Sequence, residues 1–184
     1  MVLGDKKLIT ILAGGSGSVK LVRGLASHRS DVNVITNVGD NYWLYGMYVC
    51  PDIDTIIYGL SGILDEEKGW GVKKDTNNFL RQMEVFGEET WFRVGDRDAA
   101  THLTRTNMLK NGKNLSDITQ WMCEKFANES KIIPITDNTV ETRITAKGED
   151  SVSYTLLRAH ETQRYHECSH QLEKKKGGGT GGGR

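Results

Sequence analysis

Leu8-Ile9-Thr10-Ile11-Leu12 is a nearly continuous apolar run, the pattern of a strand buried on both faces. Val32-Asn33-Val34-Ile35-Thr36 is a second such run. Between them Val19, Leu21, Val22, Leu25 and Ala26 recur at helical spacing. Strand, helix and strand in that order make a βαβ unit, which predicts a parallel sheet with a right-handed crossover. Ile56, Ile57, Leu60, Ile63 and Leu64 mark a second helix, expected to start at Asp54-Thr55, both good N-terminal residues. Phe79, Leu80, Met83 and Phe86 mark a third. Ala99, Leu103 and Leu109, after Asp98, mark a fourth. Ile118, Trp121, Met122 and Phe126 mark a fifth, with Ser116 as its expected cap, and residues 131–135 read as another strand. The fold class is therefore expected to be α/β.

Composition narrows the function classes. The 184 residues are 37 % hydrophobic with 21 glycines, enough to bury a core. No apolar run approaches the roughly 18–20 residues of a membrane span. Lys plus Arg and Asp plus Glu both number 24, whereas a duplex-binding protein carries a basic footprint. Neither nucleic acid nor membrane is expected as a partner. Cys50, Cys123 and Cys168 form neither a zinc pattern nor a disulfide framework. The N-terminus enters the first strand with no secretory signal, so a cytoplasmic location is expected. After about residue 150 the pattern weakens, through His160, His166 and His170 to a glycine-rich end. Residues 1–150 are thus expected to form the α/β domain, and 151–184 a divergent, low-complexity, disordered tail.

Polar segments follow the predicted strands, where open α/β sheets bind ligands. Gly14-Gly15-Ser16-Gly17-Ser18-Val19-Lys20 opens the first helix. Its backbone amides and Lys20 suit an anion, although a tight strand-to-helix turn explains the glycines too. Val38-Gly39-Asp40-Asn41-Tyr42-Trp43-Leu44-Tyr45-Gly46 follows the second strand and suits a flat ring that needs hydrogen bonds, or an aromatic loop packing on the domain. Pro51-Asp52-Ile53-Asp54-Thr55 holds two carboxylates where a helix cap needs one. Such a pair can hold Mg²⁺ or accept a proton from an attacking hydroxyl. Arg93 to Arg105 is the densest cluster, with Asp96, Arg97, Asp98 and His102. A helix starting near Asp98 puts Asp98, His102, Arg105 and Leu109 on one stripe, either as a phosphate-binding site or as an ion-pair network. Residues 136–143 form a last polar loop, either a ligand-binding loop or a plain turn.

Taken together, these blocks resemble the CofD family, the 2-phospho-L-lactate transferases of coenzyme F-420 biosynthesis. The resemblance rests on the glycine-rich loop through Leu21, Asn37-Val38-Gly39-Asp40 with Trp43, and Pro51-Asp52-Ile53-Asp54-Thr55. It continues through Gly69-Trp70-Gly71, Gly95-Asp96-Arg97-Asp98 with Ala100-Thr101-His102 and Arg105, and Thr136-Asp137 with Val140-Glu141-Thr142. Departures are Ser16, Ser18 and Val19 for the usual Thr, Thr and Pro, and Asn138-Thr139 where the family has Asp-Pro or Asn-Pro.

The resemblance implies a Rossmann-like three-layer α/β/α fold with a mainly parallel sheet. It implies transfer of a phospholactyl or phosphoenolpyruvyl group to the ribityl hydroxyl of the deazaflavin Fo. The donor is lactyl- or enolpyruvyl-diphosphoguanosine; GMP leaves, coenzyme F-420-0 forms, and Mg²⁺ is required. Asp54 and Arg93 fall at the family's Fo-contacting positions, with Trp43 and Thr55 in the same blocks. Gly14, Gly15, Ser16, Gly17, Ser18, Lys20 and Arg97 are expected on the nucleotide phosphates, and Asp52 and Asp54 on the metal. Asp54, Asp96, Asp98 and His102 are the catalytic candidates. The family is often homodimeric, and its chain is longer, so a truncated transferase is expected. The alternatives are an inactive fragment and a nucleotide- or nucleotide-sugar-binding regulator resembling the CofD-like gluconeogenesis factors.

Overall fold

The computed structural model describes residues 8–28, 32–128, 130–144 and 152–153. The histidines at 160, 166 and 170 and the glycine-rich end lie outside the described residues. The chain divides into two compact units, residues 1–141 and 142–184.

In the first unit β1 (Ile9–Ala13), β2 (Val32–Thr36) and β5 (Lys131–Pro134) form a parallel sheet in the order β1-β2-β5. Helix α1 (Gly15–Ala26) makes the crossover from β1 to β2. Between β2 and β5 lie the hairpin β3 (Tyr42–Leu44) and β4 (Met47–Val49), then α2 (Pro51–Leu60), α3 (Asn78–Val85), α4 (Asp96–Lys110) and α5 (Leu115–Lys125). This is the expected α/β architecture, a parallel central sheet flanked by helices, in keeping with a Rossmann-like three-layer arrangement. In the second unit β6 (Arg143–Ile144) pairs antiparallel with β7 (Val152–Ser153).

Burial in β1 alternates, which the apolar run does not predict. Ala13 is buried and Ile11 packs on the core, while Leu8 and Leu12 are 60 % and 76 % exposed. The reason is topological. The order β1-β2-β5 advances across the sheet in one direction, so right-handed crossovers place α1 and α5 on the same face. Val32, Val34 and Ile132 point into that face, with Val22, Ile53, Ile56, Ile57, Ile118 and Met122 in the same core.

Helix boundaries also differ from the sequence reading, each time because a different group satisfies the first amides. Helix α2 begins at Pro51, which has no N–H and so needs no acceptor at the first helical position. That leaves Asp52 and Asp54 free for other partners. Asn114 caps α5 by accepting from Asp117 N at 2.7 Å, and Asp137 accepts from Ser116 N at 2.7 Å. The polar loop after β5 is thus partly a second cap. Helices α1 and α2 pack closely at Gly59, where an added Cβ would run into the Val19 side chain. The β3–β4 turn places Tyr45 and Gly46 at φ 49° and 73°, the two left-handed residues of a tight hairpin.

Candidate active site

The glycine-rich loop and the start of α2 meet directly. Gly14 caps α1, and Gly15 sits at φ +57°. A Cβ on Gly15 would lie 3.2 Å from Asp52 Oδ1, and one on Gly14 3.5 Å from Oδ2. Asn37 Nδ2 donates to Asp52 Oδ2 at 2.8 Å. Burial pushes the Asp52 carboxyl up, with the Asp40 charge adding to it, against hydrogen bonds from Asn37 and the Gly15 amide. The Ser18 hydroxyl turns inward, donating to Gly15 O at 2.9 Å and Gly14 O at 3.1 Å. Ser16 touches the Gly69 turn, where a Cβ would lie 3.3 Å from Ser16 Cβ. Lys20 is exposed and lies within electrostatic reach of Glu66, which Arg23 also holds.

A second cluster is buried between α2 and α4. Arg105, fully buried, grips both oxygens of Asp54: Nη2 binds Oδ1, and Nη1 donates to Oδ2 at 3.1 Å. Arg105 Nη1 also donates to Tyr48 O at 3.3 Å. His102 Nδ1 lies 3.3 Å from Asp54 Oδ2. Its Nε2 lies 3.4 Å from Asp98 Oδ1, an ion-pair distance without hydrogen-bond alignment. The Tyr58 hydroxyl donates to the same Asp98 oxygen at 2.8 Å. The expected stripe of Asp98, His102 and Arg105 is therefore the inward face of α4.

Charge in this cluster is balanced. Burial works against the Asp54 carboxylate, but Arg105 and His102 outweigh it and hold Asp54 below the usual carboxylate range. Burial likewise opposes the His102 imidazolium, and Asp54 and Asp98 on its two sides raise it to about 9. Two carboxylates thus face two cations. Ligand atoms of Asp54, Asp98 and His102 lie within 4.8 Å of one another, so this set could coordinate a divalent metal. Carboxylate oxygens suit Mg²⁺, but an imidazole equally suits other ions. Binding there competes with Arg105 for Asp54 and requires His102 to lose its proton.

Outside this cluster, Lys68, Trp70, Gly71, Arg93 and Gly95 line an open cleft of about 270 Å³. A Cβ on Gly71 would lie 4.0 Å from Asp98 Oδ2, so the cleft passes close to the buried cluster. Trp43 is 55 % exposed and packs against Tyr48 with the rings tilted at 49° and centroids 5.2 Å apart. Thr55 is buried.

Asp96 has another occupation. Its carboxylate accepts from Phe79 N at 2.8 Å, Asn78 N at 3.2 Å, Asn78 Nδ2 at 2.9 Å and the Thr76 hydroxyl. Those bonds, led by Thr76, depress it to about 2. Arg97 is exposed in the first turn of α4, and its backbone amide is held by Asp75. The structure therefore gathers Gly14, Gly15, Ser16 and Asp52 at one place and Asp54, Asp98 and His102 at another. Arg93 lines the cleft, and the carboxylate of Asp96, the first residue of α4, caps the start of α3. The sequence reading did not single out Tyr58 or Asp75. Tyr58 was findable as the residue one turn after Asp54; Asp75 carried no signal of its own.

A crystal structure of a UPF0052 family member from Bacillus halodurans matches this fold with a TM-score of 0.51. The match covers 82 % of this chain and 46 % of that one at 18 % identity. The chain is 42 % identical over 139 residues to a phosphoenolpyruvate transferase of Streptomyces avermitilis, covering 74 % of this chain and 44 % of the relative. It is 40 % identical over 152 residues to that of Thermobifida fusca, covering 77 % and 47 %. The chain thus spans less than half the length of the curated relatives it matches. The family described as 2-phospho-L-lactate transferase CofD matches residues 9–175, past the boundary read at residue 150. With a family match over most of its length and relatives at this identity, the chain belongs to the CofD family.

Proposed function

We propose that this chain carries the donor and acceptor sites of a transferase. It would move a phospholactyl or phosphoenolpyruvyl group from a guanosine diphosphate-linked donor to the ribityl hydroxyl of Fo. The new bond joins the acceptor oxygen to the phosphorus distal to guanosine; the anhydride bond breaks and GMP leaves. The observation that supports this best is the first turn of α2. There Asp52 abuts the glycine-rich loop while Asp54, two residues on, enters the cluster beside the cleft. One helix start thus touches both a phosphate-type cradle and a charged acceptor-type site. Phosphoryl transfer needs mainly positioning and charge neutralisation.

In this reading the amides of Gly14 and Gly17, with Ser16, Ser18, Lys20 and Arg97, hold the donor phosphates, and Gly15, whose amide is bonded to Asp52, gives them close backbone approach. Arg93, Trp43, Thr55 and Asp54 receive Fo. Asp54 and Asp98, with His102 once it has lost its proton, would hold Mg²⁺, which when bound would neutralise charge on the phosphates. Asp98 and His102 complete the site. The test is Fo fluorescence titrated with the purified chain, with and without GDP and Mg²⁺. Saturable binding is the expected result. A chain folded by circular dichroism that leaves Fo fluorescence unchanged under all conditions would overturn the reading.

A further inference from the structure

Gly69-Trp70-Gly71 is a turn that fixes one large side chain in place. Both glycines sit in the left-handed region, at φ 78° and 71°, where a side chain is strained. The backbone around them is pinned. Asp65 N donates to Gly71 O at 3.0 Å, Gly69 N donates to Asp65 O at 2.8 Å, and Leu64 bridges Val72. Trp70 stands between these fixed points and is still 40 % exposed. Its ring packs against Phe92, with centroids 6.4 Å apart and a tilt of 32°, and Lys68 Nζ lies 5.8 Å from its centroid. A rigidly held indole left partly open in a cleft is binding surface for an apolar, flat ligand.

The cleft itself suits such a shape. Trp70 is the one aromatic side chain among the described residues that line it, and Gly71 and Gly95 make its wall bare backbone at two positions. Three charged side chains also line it. Both oxygens of Asp75 are occupied by the Arg97 and Asp98 amides, and Lys68 is held 3.0 Å from Asp65. Arg93 is exposed at the cleft, and its guanidinium only donates. A ring that stacks on an indole and carries carbonyl acceptors at its edge satisfies Trp70 and Arg93 together. A deazaflavin is such a ring, flat and ending in a pyrimidinedione. Guanine also stacks, but its N–H edge calls for a carboxylate, and the Asp75 carboxylate is already occupied.

We infer that Trp70 is the stacking platform for the deazaflavin ring of the acceptor, with Arg93 donating to the carbonyl edge of that ring. This rests on the transferase reading above and adds to it a specificity residue, Trp70, that selects a planar acceptor.

The experiment titrates Fo into wild-type, Trp70→Phe and Trp70→Ala, reading both affinity and the brightness of bound Fo. Indole in contact with an excited flavin-type ring quenches it by lending it an electron; a phenyl ring does not. Bound Fo is expected to be dim in wild-type and bright in Trp70→Phe. Affinity is expected to fall roughly tenfold in Trp70→Ala, the scale of one stacked ring, and less in Trp70→Phe. Trp70→Phe keeps a ring against Phe92, so its brightness carries the test should Trp70→Ala fail to fold. Equal dimming in wild-type and Trp70→Phe would overturn the inference, as would equal Fo affinity in wild-type and Trp70→Ala. So would a Trp70→Ala protein that binds Fo normally but loses GDP by calorimetry, which would put guanine on the indole. Failure of wild-type itself to bind Fo is a different outcome, since it removes the transferase reading and this inference with it.

Discussion

Asp75 and Asp96 exchange caps. Asp96, the first residue of α4, accepts from the Asn78 and Phe79 amides at the start of α3. Asp75, just before α3, accepts from the Arg97 amide at 3.0 Å and the Asp98 amide at 3.1 Å. Each carboxylate thus satisfies the open donors of the other's helix, where negative charge is also favoured by the helix dipole. Gly95 makes this possible, because a Cβ there would collide with the Asp75 carboxylate.

Asp96→Ala should therefore lower the melting temperature while sparing Fo affinity, and Asp96→Asn should recover part of the loss. The Asp96 contribution is present above the ordinary carboxylate range and is lost as pH falls toward about 2. Melting curves of both variants at pH 7 and pH 3 check this. A stable Asp96→Ala protein with abolished Fo binding would contradict the capping role.

Arg105→Met should be severely destabilising. It leaves Asp54 buried without its main partner, and breaking a buried ion pair from one side costs about 3–5 kcal/mol. Urea denaturation measures it. The double variant Arg105→Met with Asp54→Leu should recover much of the loss, since both charges are then gone.

His102 predicts an alkaline weakness. Its pKa is raised to about 9, so its contribution is complete below the ordinary histidine value near 6.5. That contribution is lost as pH rises through about 9. The loss is at most roughly 3 kcal/mol at 1.36 kcal/mol per pKa unit. Denaturation midpoints between pH 6 and pH 10 should fall in wild-type, and the His102→Gln protein should lose most of that slope.

Lys20→Ala should weaken GDP binding roughly tenfold, as for one charge-assisted bond, with no change in melting temperature because the side chain is exposed. Gly15→Ala should weaken it too and also destabilise the chain, since φ +57° and the Asp52 oxygen both oppose a side chain there. Isothermal titration with GDP and thermal melting separate the two effects.

Local pattern carried much of the fold. The βαβ unit was readable from Ile9, Ile11, Val32 and Val34 because strand and helix periods differ. The exposure of Leu12 was not readable, because the face a strand shows to solvent depends on the direction in which later strands join the sheet. Within the site, Asp98, His102 and Arg105 were readable as one stripe because α-helical spacing is local. That Asp96 caps a helix rather than joins that stripe depends on Thr76, Asn78 and Phe79, 17 to 20 positions earlier in the chain. No local pattern connects these positions.

The missing side chain at Gly59 has a further effect. It lies about two helical turns from Asp52 and touches no polar group of the site, yet it sets how near α2 comes to α1. Because α1 begins with the glycine-rich loop and α2 with Asp52 and Asp54, that contact acts as a spacer gauge between the anion cradle and the carboxylates. Even a methyl group there would pry the two helix starts apart, changing the reach between the sites while every residue in them stayed the same.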